Sequence, residues 1–149
     1  MNIAFFITPK KEVVYEKPSS TMRQALERME RYRYTAIPLV DEKGRYVGTV
    51  TEGDLLWKLK NTADLNFKNT EKILLKDVPT HMKNKPVHID AEIEDLISIS
   101  VSQNFIPVID DNDIFIGIIK RSDIINYCYK LMYDRIIPKE IQNNVYNYS

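Results

Sequence analysis

The strongest constraint on this chain is that one sequence pattern occurs in it twice, with Pro38 and Pro107 marking an offset of 69 residues. The run Ile-Pro-Leu-Val-Asp ending at Asp41 recurs as Ile-Pro-Val-Ile-Asp ending at Asp110. A glycine and then a second aspartate follow each run at the same distances, giving the pairs Gly48/Gly117 and Asp54/Asp123. Because three landmarks keep one offset, the pattern predicts two copies of a single structural unit.

Each copy predicts the order helix, strand, strand, helix. In the first copy, Thr21 and Gln24 have the spacing of a helix capping box, and a helical apolar face follows. Ala36–Val40 and Tyr46–Thr51 are typical of two short strands joined by a turn. The residues expected to face the core from the two helices are Met22, Ala25, Leu26, Met29, Leu55, Leu56 and Leu59.

The second copy repeats this order with small changes. Its strands are predicted at Ile106–Asp110 and Phe115–Ile119, and its last helix is predicted from about Asp123. The residues expected to face the core from its helices are Ile93, Leu96, Ile97, Val101, Ile124, Ile125, Cys128, Leu131 and Met132.

Neither copy is long enough to bury a sufficient core alone, since each has only about 50 to 60 residues. Two copies packed sheet against sheet as a pseudo-twofold pair would solve this, and the seam between them would form a cleft. The sequence therefore predicts an α+β fold with a first repeat at 1–65, a second at 66–135 and a C-terminal extension at 136–149.

Composition excludes several classes of function. Basic and acidic residues number 21 each, so the formal net charge is zero, which argues against broad binding to nucleic acid or to an anionic membrane. Cys128 is the only cysteine, so no intrachain disulfide forms and a reducing, cytoplasmic location is expected. No apolar run approaches the roughly 18 residues that span a bilayer.

The repeated pattern resembles the cystathionine-β-synthase (CBS) domain, and two in tandem resemble a Bateman module. The resemblance extends from about residue 4 to about residue 130. The stretches that carry it are Thr35–Asp41 and Gly48–Leu56 in the first copy, and Phe105–Asp110 and Gly117–Ile125 in the second.

The resemblance implies regulation by an adenosine-containing ligand such as AMP, ADP or ATP, bound in the cleft between the repeats, and assembly into homodimers. It implies no catalysis and no cofactor. Nothing is fused to the pair in this sequence, so we expect a stand-alone sensor acting on an unknown target protein. The residues before Pro38, and a basic residue at position 120, also resemble CBS proteins that bind cyclic di-AMP. The alternative is a ligand-free dimeric module for protein interaction.

The family uses a Ser/Thr-x-x-Asp motif to hold the nucleotide, and Thr51 and Asp54 match that motif. Both residues fit helix capping equally well, since Thr51 can accept from the Asp54 amide and Asp54 can accept from the Thr51 amide. In the second copy Lys120 replaces the threonine and cannot cap, because an ammonium has no acceptor. Asp123 nevertheless remains, and Lys120 with Arg121 supplies the charge that a phosphate requires.

Two sites follow from the resemblance, each combining the opening and pre-proline segments of one copy with the aspartate motif of the other. The preferred site consists of Val13, Tyr34, Thr35, Ala36, Lys120, Arg121 and Asp123. The second possible site consists of Thr51, Asp54, Val87, Asn104 and Phe105.

Other chemistry is not expected. His81 and His88 are the only histidines, too few with a single cysteine for a zinc site, so no metal site is predicted. The acidic run Asp110–Asp113 is typical of a tight turn rather than a calcium loop. Cys128 is predicted to be a core residue rather than a nucleophile.

Overall fold

The computed structural model describes residues 1–136, so the predicted extension at 136–149 lies beyond the described part except for Ile136. Four α-helices occur in this part: α1 Met22–Tyr32, α2 Glu52–Asn61, α3 Ile93–Ser100 and α4 Arg121–Ile136. The strands are β1 Thr8–Pro9, β2 Ala36–Val40, β3 Tyr46–Thr51, β4 Val87–His88, β5 Phe105–Ile109 and β6 Phe115–Lys120. Short 3-10 helices occupy Ile3–Phe5, Lys10–Glu12, Thr70–Lys72 and Leu75–Asp77.

Two antiparallel hairpins with the same register form the centre of the fold. In β2–β3, Leu39 lies opposite Gly48, and in β5–β6, Val108 lies opposite Gly117. The second hairpin belongs to a four-stranded sheet of order β1-β6-β5-β4, whereas β2 and β3 form a sheet of two strands. These observations confirm the predicted α+β fold, and the capping box of Thr21 and Gln24 is also present.

Each repeat has its own core, but the repeats exchange their opening segments. Ile3 is fully buried in the core of the second repeat, and β1 pairs with β6 of that repeat. Leu75 and Val78, which lie in the opening segment of the second repeat, are buried in the core of the first. The boundaries 1–65 and 66–135 therefore divide the sequence repeats and not the two cores, and as domain limits they remain a proposal.

The two hairpins also meet directly at their turns. The Phe115 amide donates a hydrogen bond of 2.8 Å to the carbonyl oxygen of Gly44. The Phe115 ring is fully buried and packs against the rings of Tyr15 and Tyr46 from the first repeat. One aromatic side chain of the second repeat thus packs against two rings of the first.

Several predicted inner-face residues point to solvent. Leu56, Ile97, Ile125 and Met132 are exposed, so their predicted burial is wrong. Successive helix residues are rotated by about 100°, so Leu55 and Ile124 reach the core while the residue after each cannot. Val101 is 82% exposed because α3 ends at Ser100. Cys128 is half-buried against the second core, as predicted.

Strand and helix limits in the second repeat differ slightly from the prediction. The first of its two strands is Phe105–Ile109 rather than Ile106–Asp110, and α4 begins at Arg121 rather than near Asp123. No helix within residues 1–136 combines the length and the hydropathy that crossing a bilayer requires.

Candidate functional site

A cavity of about 340 Å³ lies between the two repeats. Both repeats contribute to its wall, the first through its opening segment and the residues around Pro38, the second through the ends of β5 and β6. The lining residues are Thr8, Glu12, Val13, Val14, Tyr34, Thr35, Ala36, Pro38, Asn104, Phe105, Ile118, Lys120, Arg121 and Ser122.

The first wall of the cavity is set by how α1 ends. Arg33 terminates the helix in the left-handed conformation, with φ of 59°, and so turns the chain towards β2. The Tyr34 amide donates to the carbonyl oxygen of Met29 at 3.1 Å. Tyr34 is 43% exposed, and its ring stacks on Tyr32 at 5.9 Å between centroids. An aromatic face is therefore held beside the cavity.

The second wall is the start of α4. The Arg121 Nε donates to the carbonyl oxygens of Ser100 at 2.8 Å and Gln103 at 3.1 Å, so the guanidinium is anchored to the end of α3. Lys120 is exposed and has no ion-pair partner within residues 1–136. Two positive side chains thus lie together at a helix start, an arrangement that attracts anions.

The structure brings together six of the seven residues of the preferred site: Val13, Tyr34, Thr35, Ala36, Lys120 and Arg121 all line the cavity. Asp123 lies in the first turn of α4, one residue beyond the lining residue Ser122, and is not itself part of the lining. No hydrogen bond or ion pair to Asp123 occurs within residues 1–136.

The second possible site remains a proposal as a set of five residues. Asn104 and Phe105 line the same cavity as Lys120 and Arg121. The resemblance implied that each pre-proline segment meets the aspartate motif of the other repeat. Strand pairing places each pre-proline segment beside the aspartate motif of its own repeat as well. Phe105 lies opposite Lys120, and Ala36 lies opposite Thr51. Val87 lies in β4, opposite Val108.

Thr51 and Asp54 form a complete capping box at the start of α2. The Asp54 amide donates to Thr51 Oγ1 at 3.1 Å, and the Thr51 amide donates to Asp54 Oδ2 at 2.9 Å. Asp54 is 3% exposed, and its other carboxylate oxygen, Oδ1, contacts His81 Nδ1 at 2.9 Å. Sequence reasoning missed this contact, since His81 lies 27 positions away in an irregular segment.

A histidine oriented by a buried carboxylate can act as a general base if a nucleophile lies beside it. The ring of His81 has no other hydrogen-bond partner within residues 1–136, so no such nucleophile is paired with it there. Elsewhere, His88 lies close to Asp90 and Asp111, with distances of 3.3 Å from Nδ1 and 2.5 Å from Nε2. The two ring nitrogens face different carboxylates.

Comparison with known proteins gives one family and several relatives. The family model described as "CBS domain" matches residues 6–61 and 75–130. The CBS domain-containing protein CBSX1, chloroplastic, of Arabidopsis thaliana is 26% identical over 146 residues, covering 80% of this chain and 61% of that protein. The chain spans 58% to 65% of the length of the first three curated relatives.

Solved structures share the fold. The crystal structure of CbpB in complex with c-di-AMP aligns with a TM-score of 0.77 at 20% identity, covering 90% of this chain and 88% of that chain. The crystal structure of CBSX2, an Arabidopsis thaliana protein, in complex with AMP aligns with a TM-score of 0.69 at 24% identity, covering 87% and 97%. At these identities the likeness establishes the fold and no more.

Proposed function

The chain belongs to the CBS domain family, and from this premise we propose that it is a regulatory module that binds an adenosine-containing ligand in the cavity between its repeats. The ligand would be AMP, ADP, ATP or cyclic di-AMP. Its binding would change how the module contacts a target protein. Catalysis is not part of the proposal, nor is a cofactor.

The observation that carries the proposal is the composition of the cavity wall. The volume of about 340 Å³ falls in the range of small-molecule sites, roughly 300 to 1,000 Å³. One side offers an aromatic ring and apolar side chains, which suit a base, and the other offers a free ammonium at a helix start, which suits a phosphate. In the proposed pose, the base lies against Tyr34, Ala36 and Val13, and the phosphate lies at Lys120.

Two of the similar solved structures support the choice of ligand class, because one contains AMP and the other contains c-di-AMP. Regulation would follow if the ligand binds two conformations of the module with different affinity, since only differential affinity shifts an equilibrium. A coupling free energy of about 1–3 kcal/mol is enough for such a switch.

A thermal-shift panel of AMP, ATP, NAD, S-adenosylmethionine and cyclic di-AMP tests the proposal. A ligand at 100 times its dissociation constant should stabilise the folded chain by about 2.7 kcal/mol. If none of these ligands raises the unfolding temperature, the sensor function is contradicted.

We propose a homodimer as part of the same function, on the evidence of exposed apolar side chains on two helices. Leu56 on α2 and Ile125 on α4 occupy equivalent positions in the two repeats and are 51% and 56% exposed. Trp57, Tyr129 and Met132 add to these surfaces and are 49%, 61% and 59% exposed. Burial of such surfaces against a second copy would remove apolar area from water.

Sedimentation equilibrium tests the dimer directly. The double variant Leu56→Glu, Ile125→Glu should be monomeric at concentrations where the wild type is dimeric. Phe67→Glu is the control, since Phe67 is 69% exposed and lies outside both helices. A monomeric wild type would contradict the dimer and leave nucleotide binding to be judged by the thermal-shift panel. A dimer that persists in the double variant would place the interface elsewhere.

A further inference from the structure

We propose that Glu12 is a specificity-determining residue of the cavity between the repeats, and that its carboxylate accepts a hydrogen bond from the exocyclic amine of the adenine base. The cavity would then distinguish AMP from a nucleotide whose base lacks that amine. The inference rests on the proposed function, because it gives Glu12 a role in the same ligand site.

Glu12 carries the only carboxylate among the residues that line the cavity. It forms no hydrogen bond or ion pair within residues 1–136. The two lysines before it do not pair with it either. Lys10 Nζ lies over the Tyr15 ring, 5.4 Å from its centroid, and Lys11 forms no ion pair in this part of the chain. The cavity wall therefore contains an acceptor that is available to a ligand.

Lys120 lines the same cavity, and it too is unpaired among the described residues. Opposite charges attract, yet these two side chains form no ion pair with each other, and the register of β1 explains why. Thr8 lies opposite Ile118 in antiparallel pairing, and the next residue pairs one position further from Lys120. The chain thus runs away from Lys120 as it enters the 3-10 helix that ends at Glu12.

Glu12 lies next to the part of the wall that the proposed pose assigns to the base. Val13 follows it directly and also lines the cavity. The Val13 amide donates to the carbonyl oxygen of Lys10 at 3.0 Å, which closes the 3-10 helix and sets the direction of the chain. A nucleotide whose phosphate lies at Lys120 and whose base contacts Val13 therefore has its base near Glu12.

The chemistry of a carboxylate determines which base it favours. An ionised carboxylate is an acceptor only, so it pairs with a ligand group that donates. The exocyclic amine of adenine donates, and a hydrogen bond to a charged group is stronger than one between neutral groups. A base without this amine leaves the carboxylate unpaired, and a site built to pair with a donor rejects the analogue that lacks it. Glu12 should therefore favour AMP over purine riboside monophosphate, which has hydrogen in place of the amine.

The alternative is that Glu12 is a solvated carboxylate that only repels anions. Its removal would then strengthen the binding of every nucleotide by the same factor and leave their relative affinities unchanged. The ratio of two dissociation constants separates the two cases, because specificity is a difference of binding free energies and a uniform electrostatic effect cancels in it.

Isothermal titration of the full chain with AMP and with purine riboside monophosphate measures this ratio. We expect the wild type to bind AMP about tenfold more tightly than the analogue, and Glu12→Ala to bind the two within about twofold of each other. Glu12→Gln keeps an acceptor oxygen and should give an intermediate ratio. Glu27→Ala is the control and should keep the wild-type ratio, since Glu27 is an exposed residue of α1 outside the cavity wall.

An unchanged ratio in a folded Glu12→Ala would overturn the inference and leave the proposed function intact, since AMP still binds. Deoxy-AMP, which lacks one ribose hydroxyl, tests another donor of the ligand. If Glu12→Ala removes a preference for AMP over deoxy-AMP instead, the carboxylate binds the ribose and the inference is again wrong. If the wild type binds neither AMP nor its analogues, the proposed function fails for this nucleotide, and the role of Glu12 fails with it.

Discussion

At the scale of the residue, the two copies of the Ser/Thr-x-x-Asp motif differ in what their first residue does. Thr51 and Asp54 make both hydrogen bonds of a capping box, and Asp54 also contacts His81. Lys120 cannot cap a helix, is exposed, and lines the cavity. The capping interpretation thus holds for the first copy. The second copy carries the positive charge on which the binding proposal depends.

The alanine variants of Thr51 and Lys120 should affect different properties, the first stability and the second nucleotide affinity. Thr51→Ala should lower the free energy of unfolding by about 1 kcal/mol, because a helix cap is lost, and should leave nucleotide affinity unchanged. Lys120→Ala should weaken nucleotide binding about tenfold or more, because a phosphate contact worth about 1.5–3 kcal/mol is lost, and should leave stability unchanged.

Chemical denaturation and calorimetric titration of both variants check this prediction. Lys130→Ala, on an exposed position further along α4, is the matched control for Lys120, and Thr80→Ala is the control for Thr51. Loss of binding in Thr51→Ala with no effect in Lys120→Ala would reverse the assignment of the two motifs.

At the scale of the element, β1 docks on β6 only because residue 117 is a glycine. A Cβ at Gly117 would lie 2.2 Å from the carbonyl oxygen of Thr8 and 2.8 Å from Ile7 Cγ2, both closer than atoms can approach. A Cβ at Gly48, the equivalent position in the first repeat, would meet nothing within 4 Å. The two glycines have φ of +159° and +158°, so the backbone cost of a side chain is common to both.

Gly117→Ala should therefore destabilise the chain more than Gly48→Ala, by about 1–3 kcal/mol, the usual cost of overpacking. Urea denaturation of the two variants measures the difference. Equal destabilisation would mean that β1 does not pack on β6 in solution.

The contact between α3 and α4 lowers the pKa of a carboxyl group, that of Glu94. The Tyr127 hydroxyl donates to Glu94 Oε1 at 2.6 Å and is the main reason that the pKa of Glu94 is lowered to about 2. A lowered pKa in the folded state means that this contact stabilises the fold fully above the ordinary value of 4.5. The stabilisation is then lost as the pH falls through about 2.

Tyr127→Phe removes the hydrogen bond and should raise the pKa of Glu94 towards its ordinary value. NMR titration of the side-chain carboxyl carbon measures this pKa. An unchanged Glu94 titration in the variant would show that the hydroxyl does not contact the carboxylate.

At the scale of the whole molecule, the exchange of opening segments makes the repeats depend on each other. Leu75 belongs to the opening segment of the second repeat and is 1% exposed in the core of the first. Ile3 belongs to the opening segment of the first repeat and is fully buried in the core of the second. A ligand in the cavity between the repeats would therefore act on one cooperative unit, which is what a regulatory module requires.

Leu75→Ala should destabilise the whole chain by about 2–5 kcal/mol, as expected for a large-to-small change in a core. The unfolding midpoint should fall equally by Trp57 fluorescence, which reports the first repeat, and by far-UV circular dichroism, which reports both. Lys76→Ala, at an exposed neighbour, is the control. Separate midpoints for the two probes would indicate that the repeats unfold independently.

The sequence alone determined the features that depend on local hydrogen bonds and periodicity. The 69-residue offset predicted two units, the spacing of Thr21 and Gln24 predicted a cap, and short apolar runs joined by turns predicted both hairpins. These are determined locally because each requires only a few residues close in the chain. The predicted burial was wrong for one residue of adjacent apolar pairs such as Leu55 and Leu56, because periodicity alone does not determine which of two neighbours faces the core.

Only the tertiary structure decided how the two units share segments. The pairing of β1 with β6, the burial of Leu75 in the first core, and the contact of His81 with Asp54 all join residues far apart in sequence. No local pattern encodes them, because an irregular segment such as residues 79–85 acquires its position from the surfaces that it covers.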